Sequence, residues 1–81
     1  MIPAQLRMAR CALRLGVRDL AAMAHVTPAT ITRFENERGG LNSATVEKLK
    51  STLTEAGIIF LDEGAITPGG AGVRLRSIEK E

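Results

Sequence analysis

Four residues, His25-Val26-Thr27-Pro28, stand between two short apolar stripes and constrain this chain more than any other feature. Thr27 is a good helix N-cap, because its hydroxyl can accept from a first-turn N–H. Pro28 suits the next position, where a missing N–H costs nothing. Val26, just before the cap, is placed to staple onto Ile31. Upstream, Leu20, Ala21 and Ala24 recur at helical spacing, and downstream Ile31 and Phe34 do the same. The pattern predicts one helix over about Val17 to Ala24 and another over about Pro28 to Asn36, joined by a short turn. The alanines allow close approach, and the anchored turn sets the second helix at a steep angle to the first. Pro28, Ala29, Thr32 and Arg33 then occupy its outward positions.

The rest of the chain reads from the same signals. A first helix is expected over about Pro3 to Leu13, with Leu6, Ala9, Arg10 and Leu13 on one face and Cys11 partly packed. Gly16 can cap the second helix, and Asp19 complements its positive end. Arg38-Gly39-Gly40 ends the third. A fourth begins near Asn42-Ser43 and ends near Ala56, with Val46, Leu49 and Leu53 inward and Gly57 as its left-handed terminator. The period then changes. Ile58-Ile59-Phe60-Leu61 reads as a strand, Glu63 to Gly72 as a loop, and Val73 to Arg76 as a second strand with Arg74 and Arg76 on one face. The expected fold is mainly α: four helices followed by a C-terminal β-hairpin. Residues 1–57 form the helical domain, 58–77 the hairpin extension and 78–81 a frayed tail. Both faces of the first strand are apolar. One should pack on helices 1 and 4, and the other, with Ile59 and Leu61, should meet a second subunit.

Composition narrows the function classes. A chain of 81 residues with 44% hydrophobic and 25% charged residues is a soluble globular domain, and a core this small favours oligomers. No apolar run approaches the ~20 residues that span a bilayer, and no secretory signal is evident. With one cysteine and one histidine there is no intrachain disulfide and too few ligands for a metal site, and the cytoplasm is the expected compartment. Gly69-Gly70-Ala71-Gly72 lacks the lysine and following helix of a phosphate-binding loop. No nucleophile–base set or cofactor fingerprint is present, so neither an enzyme nor a cofactor is expected. The net charge is only +2, yet residues 1–40 carry six arginines against three acids. Arginine suits phosphate and guanine recognition through its planar donor fork.

The stretches Val17-Arg18-Asp19-Leu20-Ala21, Val26-Thr27-Pro28 and Thr30-Ile31-Thr32-Arg33-Phe34-Glu35 resemble the lambda-repressor-like family, the Cro/Xre helix-turn-helix regulators. The resemblance covers residues 5–56. It implies a four- or five-helix domain that binds DNA as a dimer and often represses. It also implies that Arg10 and Glu35 can form an ion pair between helices 1 and 3, as in some relatives. The chain departs from the family in three places. His25 stands where the turn usually has glycine, Val17 where a phosphate-contacting glutamine is frequent, and Arg14 where many relatives end a helix with glycine.

Pro28, Ala29, Thr32 and Arg33 are therefore expected to meet base edges, Arg33 by bridging O6 and N7 of guanine and Ala29 and Thr32 by packing on thymine methyls. Gly16, Val17, Arg18, Thr30, Asn36 and Arg38 are expected at phosphates, the first two through their backbone amides. The expected activity is that of a transcriptional regulator, most simply a repressor, bound as a homodimer to an inverted repeat in double-stranded DNA. The alternative is a protein-interaction module on the same fold, including an antitoxin that holds a toxin.

Overall fold

In a computed structural model of the chain, which describes residues 1–65 and 68–76, four helices are followed by a two-stranded antiparallel sheet. The helices are α1 (Pro3–Ala12), α2 (Val17–Ala24), α3 (Pro28–Glu35) and α4 (Ser43–Glu55), and the strands are β1 (Ile58–Leu61) and β2 (Gly72–Leu75). The expected tail, 78–81, and the tip residues 66–67 lie outside the described residues. No helix is long and apolar enough to cross a membrane.

Local signals account for the helix starts. Pro3 and Pro28 each occupy a first helical position. The Thr27 hydroxyl accepts from the Thr30 N–H at 3.3 Å, and the Asn42 side chain accepts from the Thr45 N–H at 2.8 Å. At the other two starts the cap residue has no polar side chain, so a side chain three residues on reaches back instead. Gln5 accepts from the Ile2 N–H at 3.0 Å and Asp19 from the Gly16 N–H at 2.9 Å.

The helix ends are less ordinary. Arg14, His25 and Glu37 all adopt left-handed φ values, of 58°, 60° and 59°. Each follows a helix and lets the next N–H reach back five residues: Leu15 to the Arg10 carbonyl, Val26 to Ala21 and Arg38 to Arg33, at 2.8–3.0 Å. This is the closure that glycine usually provides. Only α4 ends on a glycine, Gly57, at φ 111°. These closures also shorten two expected helices. Leu13 and Asn36 are caps rather than helical residues.

The core draws on every element but β2: Leu6 and Ala9 from α1, Leu20, Ala21 and Ala24 from α2, Ile31 and Phe34 from α3, Leu49 and Leu53 from α4, and Ile58 from β1. Val46 is half-buried, since the packed part of α4 begins one turn later at Leu49. Cys11 is exposed rather than partly packed. It lies about 200° around the helix from buried Ala9, at 3.6 residues per turn.

The sheet packs against α1 through β2 and α4 through β1, with Ile58 paired to Leu75, Ile59 to Arg74, Phe60 to Val73 and Leu61 to Gly72. The Lys50 ammonium sits 5.7 Å from the centre of the Phe60 ring, a cation–π contact between α4 and β1. The second strand is displaced by one residue from its expected position. Gly72 pairs within the ladder, and beyond its last pair the Arg76 N–H donates to the Gly57 carbonyl at 2.7 Å, in the same register.

An L-residue in the left-handed region is disfavoured by roughly 1–2 kcal/mol, while glycine loses about 0.5–1 kcal/mol elsewhere through its freer unfolded chain. Replacing His25 or Glu37 by glycine is therefore expected to raise stability by about 0.5–1 kcal/mol. Gly57→Ala, at positive φ, is expected to lower it by about 1 kcal/mol. Urea unfolding midpoints read both signs.

Candidate nucleic-acid interface

Helix α3 is held from behind by two arginines of α1. Glu35, in its last turn, is buried, with 6% of its side chain exposed against 20% for Arg10. Arg10 meets it with two parallel bonds, Nε to Oε2 at 2.9 Å and Nη2 to Oε1 at 2.8 Å. Its remaining nitrogen, Nη1, donates to the Leu15 carbonyl at 3.1 Å, tying the loop after α1 to the same guanidinium. Hydrogen bonding to Glu35 and its negative charge outweigh the opposing effect of burial, so the pKa of Arg10 lies above the ordinary arginine value. The guanidinium therefore keeps its charge at every pH at which the domain would be studied. Arg7 adds a bond to the Glu35 carbonyl. Two of the six N-terminal arginines are thus spent on fixing α3.

On the opposite side α3 is open. Ala29, Thr32, Arg33 and Asn36 recur at helical spacing and are all exposed, with Pro28 exposed at the helix start. Beyond the helix, the reversal at Glu37 brings the Arg38 N–H back to the Arg33 carbonyl and lays Gly39 beside the Arg33 side chain. Arg14, Arg18, Arg33 and Arg38 are exposed, and among the described residues none is paired with an acid. The base-contact residues expected from sequence thus share one surface, and Asn36 and Arg38 border it.

The other expected phosphate contacts stand differently. Gly16, Val17 and Arg18 belong to the start of α2, not to α3. The Gly16 N–H is engaged by Asp19, and the Val17 side chain packs against the core, so Arg18 is the outward group there. Thr30 is half-buried, and its hydroxyl lies 2.8 Å from that of Thr27. It serves the helix start. Ile59 and Leu61 share the outer face of the sheet. Ile59 is 38% exposed and Leu61 half-buried, with exposed Arg74 across from Ile59.

Three residues with a part in this arrangement escaped the sequence reading: Gln5, Arg7 and Gly39. Gln5 is buried, and its Nε2 donates to the carbonyls of Leu61 and Gly72, both at 3.1 Å. One amide thereby joins α1 to the end of both strands. Its place three residues after a helix cap was a visible signal for its local bond to Ile2, but not for these distant ones. Open grooves flank α4, lined by residues such as Met23, His25, Glu47, Ser51 and Glu55, and no α3 residue lines them. Among the described residues no cluster of histidine, cysteine or acids could hold a metal ion. No family model matches the chain, and no curated protein matches it.

Removing one member of a buried ion pair leaves the other uncompensated. Arg10→Ala or Glu35→Ala is expected to cost about 3 kcal/mol, a large part of a small domain's stability. The double replacement Arg10→Met with Glu35→Leu should recover most of that loss, because neither charge is then buried alone. Chemical unfolding of the three proteins checks the order.

Proposed function

We propose that the chain is a sequence-specific DNA-binding transcriptional regulator of the lambda-repressor-like class, in which α2 and α3 form a helix-turn-helix and α3 enters the major groove. The observation that carries the reading is the two-sidedness of α3. Its inner side is fixed by the core and by Arg10 and Arg7, while Ala29, Thr32, Arg33 and Asn36 form an exposed face, with exposed Glu37 following at its end. Small residues beside an arginine let a helix sit deep in the groove while one long fork reaches a guanine edge. Arg38 and Arg18, exposed and unpaired among the described residues, suit phosphates on either side of that contact. The resemblance of residues 5–56 to Cro/Xre regulators supports the same reading and suggests repression from an inverted repeat.

A homodimer completes it. The exposed Ile59, with Leu61 on the same sheet face, would supply the interface. The two copies of α3 would then read half-sites about one helical turn apart, roughly 10 bp.

Selection of duplexes from a random pool at physiological salt tests the reading. Wild type is expected to enrich an inverted repeat, and Arg33→Ala to relax one guanine position at a loss of about 1–3 kcal/mol there. Binding should weaken steeply with salt, each neutralised phosphate adding nearly one unit of log–log slope. No enrichment together with a flat salt response would defeat the reading in favour of a protein-interaction module. Ile59→Lys, at a surface position, is expected to leave the fold intact and shift the molecular mass in solution to that of a monomer.

A further inference from the structure

We propose that Gly39 is a positioning residue that sets the side chain of Arg33 and, through it, the base preference of the α3 face; this rests on the DNA-reading assignment above. The chain reverses at Glu37, in the left-handed region at φ 59°, and the Arg38 N–H closes on the Arg33 carbonyl at 2.8 Å. That reversal carries Gly39 back alongside the last turn of α3. A Cβ on Gly39 would stand 3.8 Å from Arg33 Cγ, 3.7 Å from Cδ and 3.4 Å from Nε. Three consecutive atoms of the arginine stem therefore run across the bare backbone of residue 39.

Glycine is not required there by backbone conformation. The positive-φ glycines are Gly57, Gly64 and Gly69, and neither Gly39 nor Gly40 is among them. What residue 39 contributes is bare backbone beside the Arg33 stem, with room for a Cβ at ordinary contact distance. Its neighbour is the internal contrast: a Cβ on Gly40 would meet nothing within 4 Å. Alanine at position 39 would make ordinary van der Waals contact with the stem. Valine would place γ-carbons in its path and turn Arg33 into another rotamer.

The consequence for recognition follows from the geometry of the fork. Two parallel bonds to guanine require the guanidinium in one plane, and a long side chain loses rotamer freedom when so held. A stem already laid along a flat backbone has less freedom to lose on binding, so it binds more tightly and discriminates more sharply.

The test compares Gly39→Val, Gly39→Ala and Gly40→Val, with Gly39→Val also made in the Arg33→Ala background. In the free protein, the Arg33 Nε–Hε resonance is expected to move in Gly39→Val and to stay in place in Gly40→Val. On the duplex that wild type selects, Gly39→Val should bind about threefold to tenfold more weakly. It should relax preference at the same base pair as Arg33→Ala and lose nothing further in that background. Gly39→Ala, whose Cβ meets the stem at ordinary contact, should stay close to wild type, and Gly39→Ile should repeat the valine pattern, which serves if the valine variant fails to fold. An unmoved resonance in Gly39→Val, or an equal loss of affinity with and without Arg33, overturns the positioning role while leaving wild-type selection intact. Failure of wild type to select any sequence defeats the DNA reading itself and the base-preference half of this proposal with it.

Discussion

The helical part of the fold is tied together at one buried carboxylate. Glu35 lies in the last turn of α3, where an acid opposes the helix dipole, and it is buried as well. Both costs are met from α1: Arg10 supplies two parallel bonds to the carboxylate, and Arg7 reaches the carbonyl of the same residue. Because Arg10 also holds the Leu15 carbonyl, the end of α1, the loop into α2 and the end of α3 share a single guanidinium. The direction that the open face of α3 presents is set by this ion pair together with the small apolar core.

The three left-handed helix ends show how tightly the chain is turned. Arg14, His25 and Glu37 close α1, α2 and α3 in the same manner, with a side chain where glycine would be easier. These turns are what allow four helices and a sheet to fit 81 residues. The cost is local backbone strain, carried at positions that border α3 or its neighbours.

Much of this was legible in the sequence, and the reasons are local. The bounds of α2, the Thr27 cap and the strand Ile58–Leu61 follow from signals within a few residues, namely spacing, caps and β-branching. Gly57 stood where a left-handed end was expected and His25 where relatives have glycine, and the pairing of Arg10 with Glu35 followed from the resemblance to Cro/Xre regulators. The start of β2 was not legible, because a strand that starts on glycine is defined by its partner rather than by its own propensity. Nor were Gln5, Arg7 and Gly39. Their roles arise from groups brought close only by the finished fold, and a polar side chain near a helix start looks the same whether it faces water or a distant carbonyl. The outward face of α3 was readable as outward, since it is what remains once Ile31 and Phe34 are buried.

Gln5 couples the first helix to the sheet. Its amide waits for carbonyls 56 and 67 residues further along the chain. Of the two buried polar side chains among the described residues, Gln5 and Glu35, Gln5 has the partners that lie farther along the chain. The contacts between α2 and α3 close over short stretches of chain, whereas the seat for Gln5 exists only after β2 has paired with β1. Opening the β1–β2 pair would remove the seat of this amide as well, so the sheet and the first helix are coupled through one side chain.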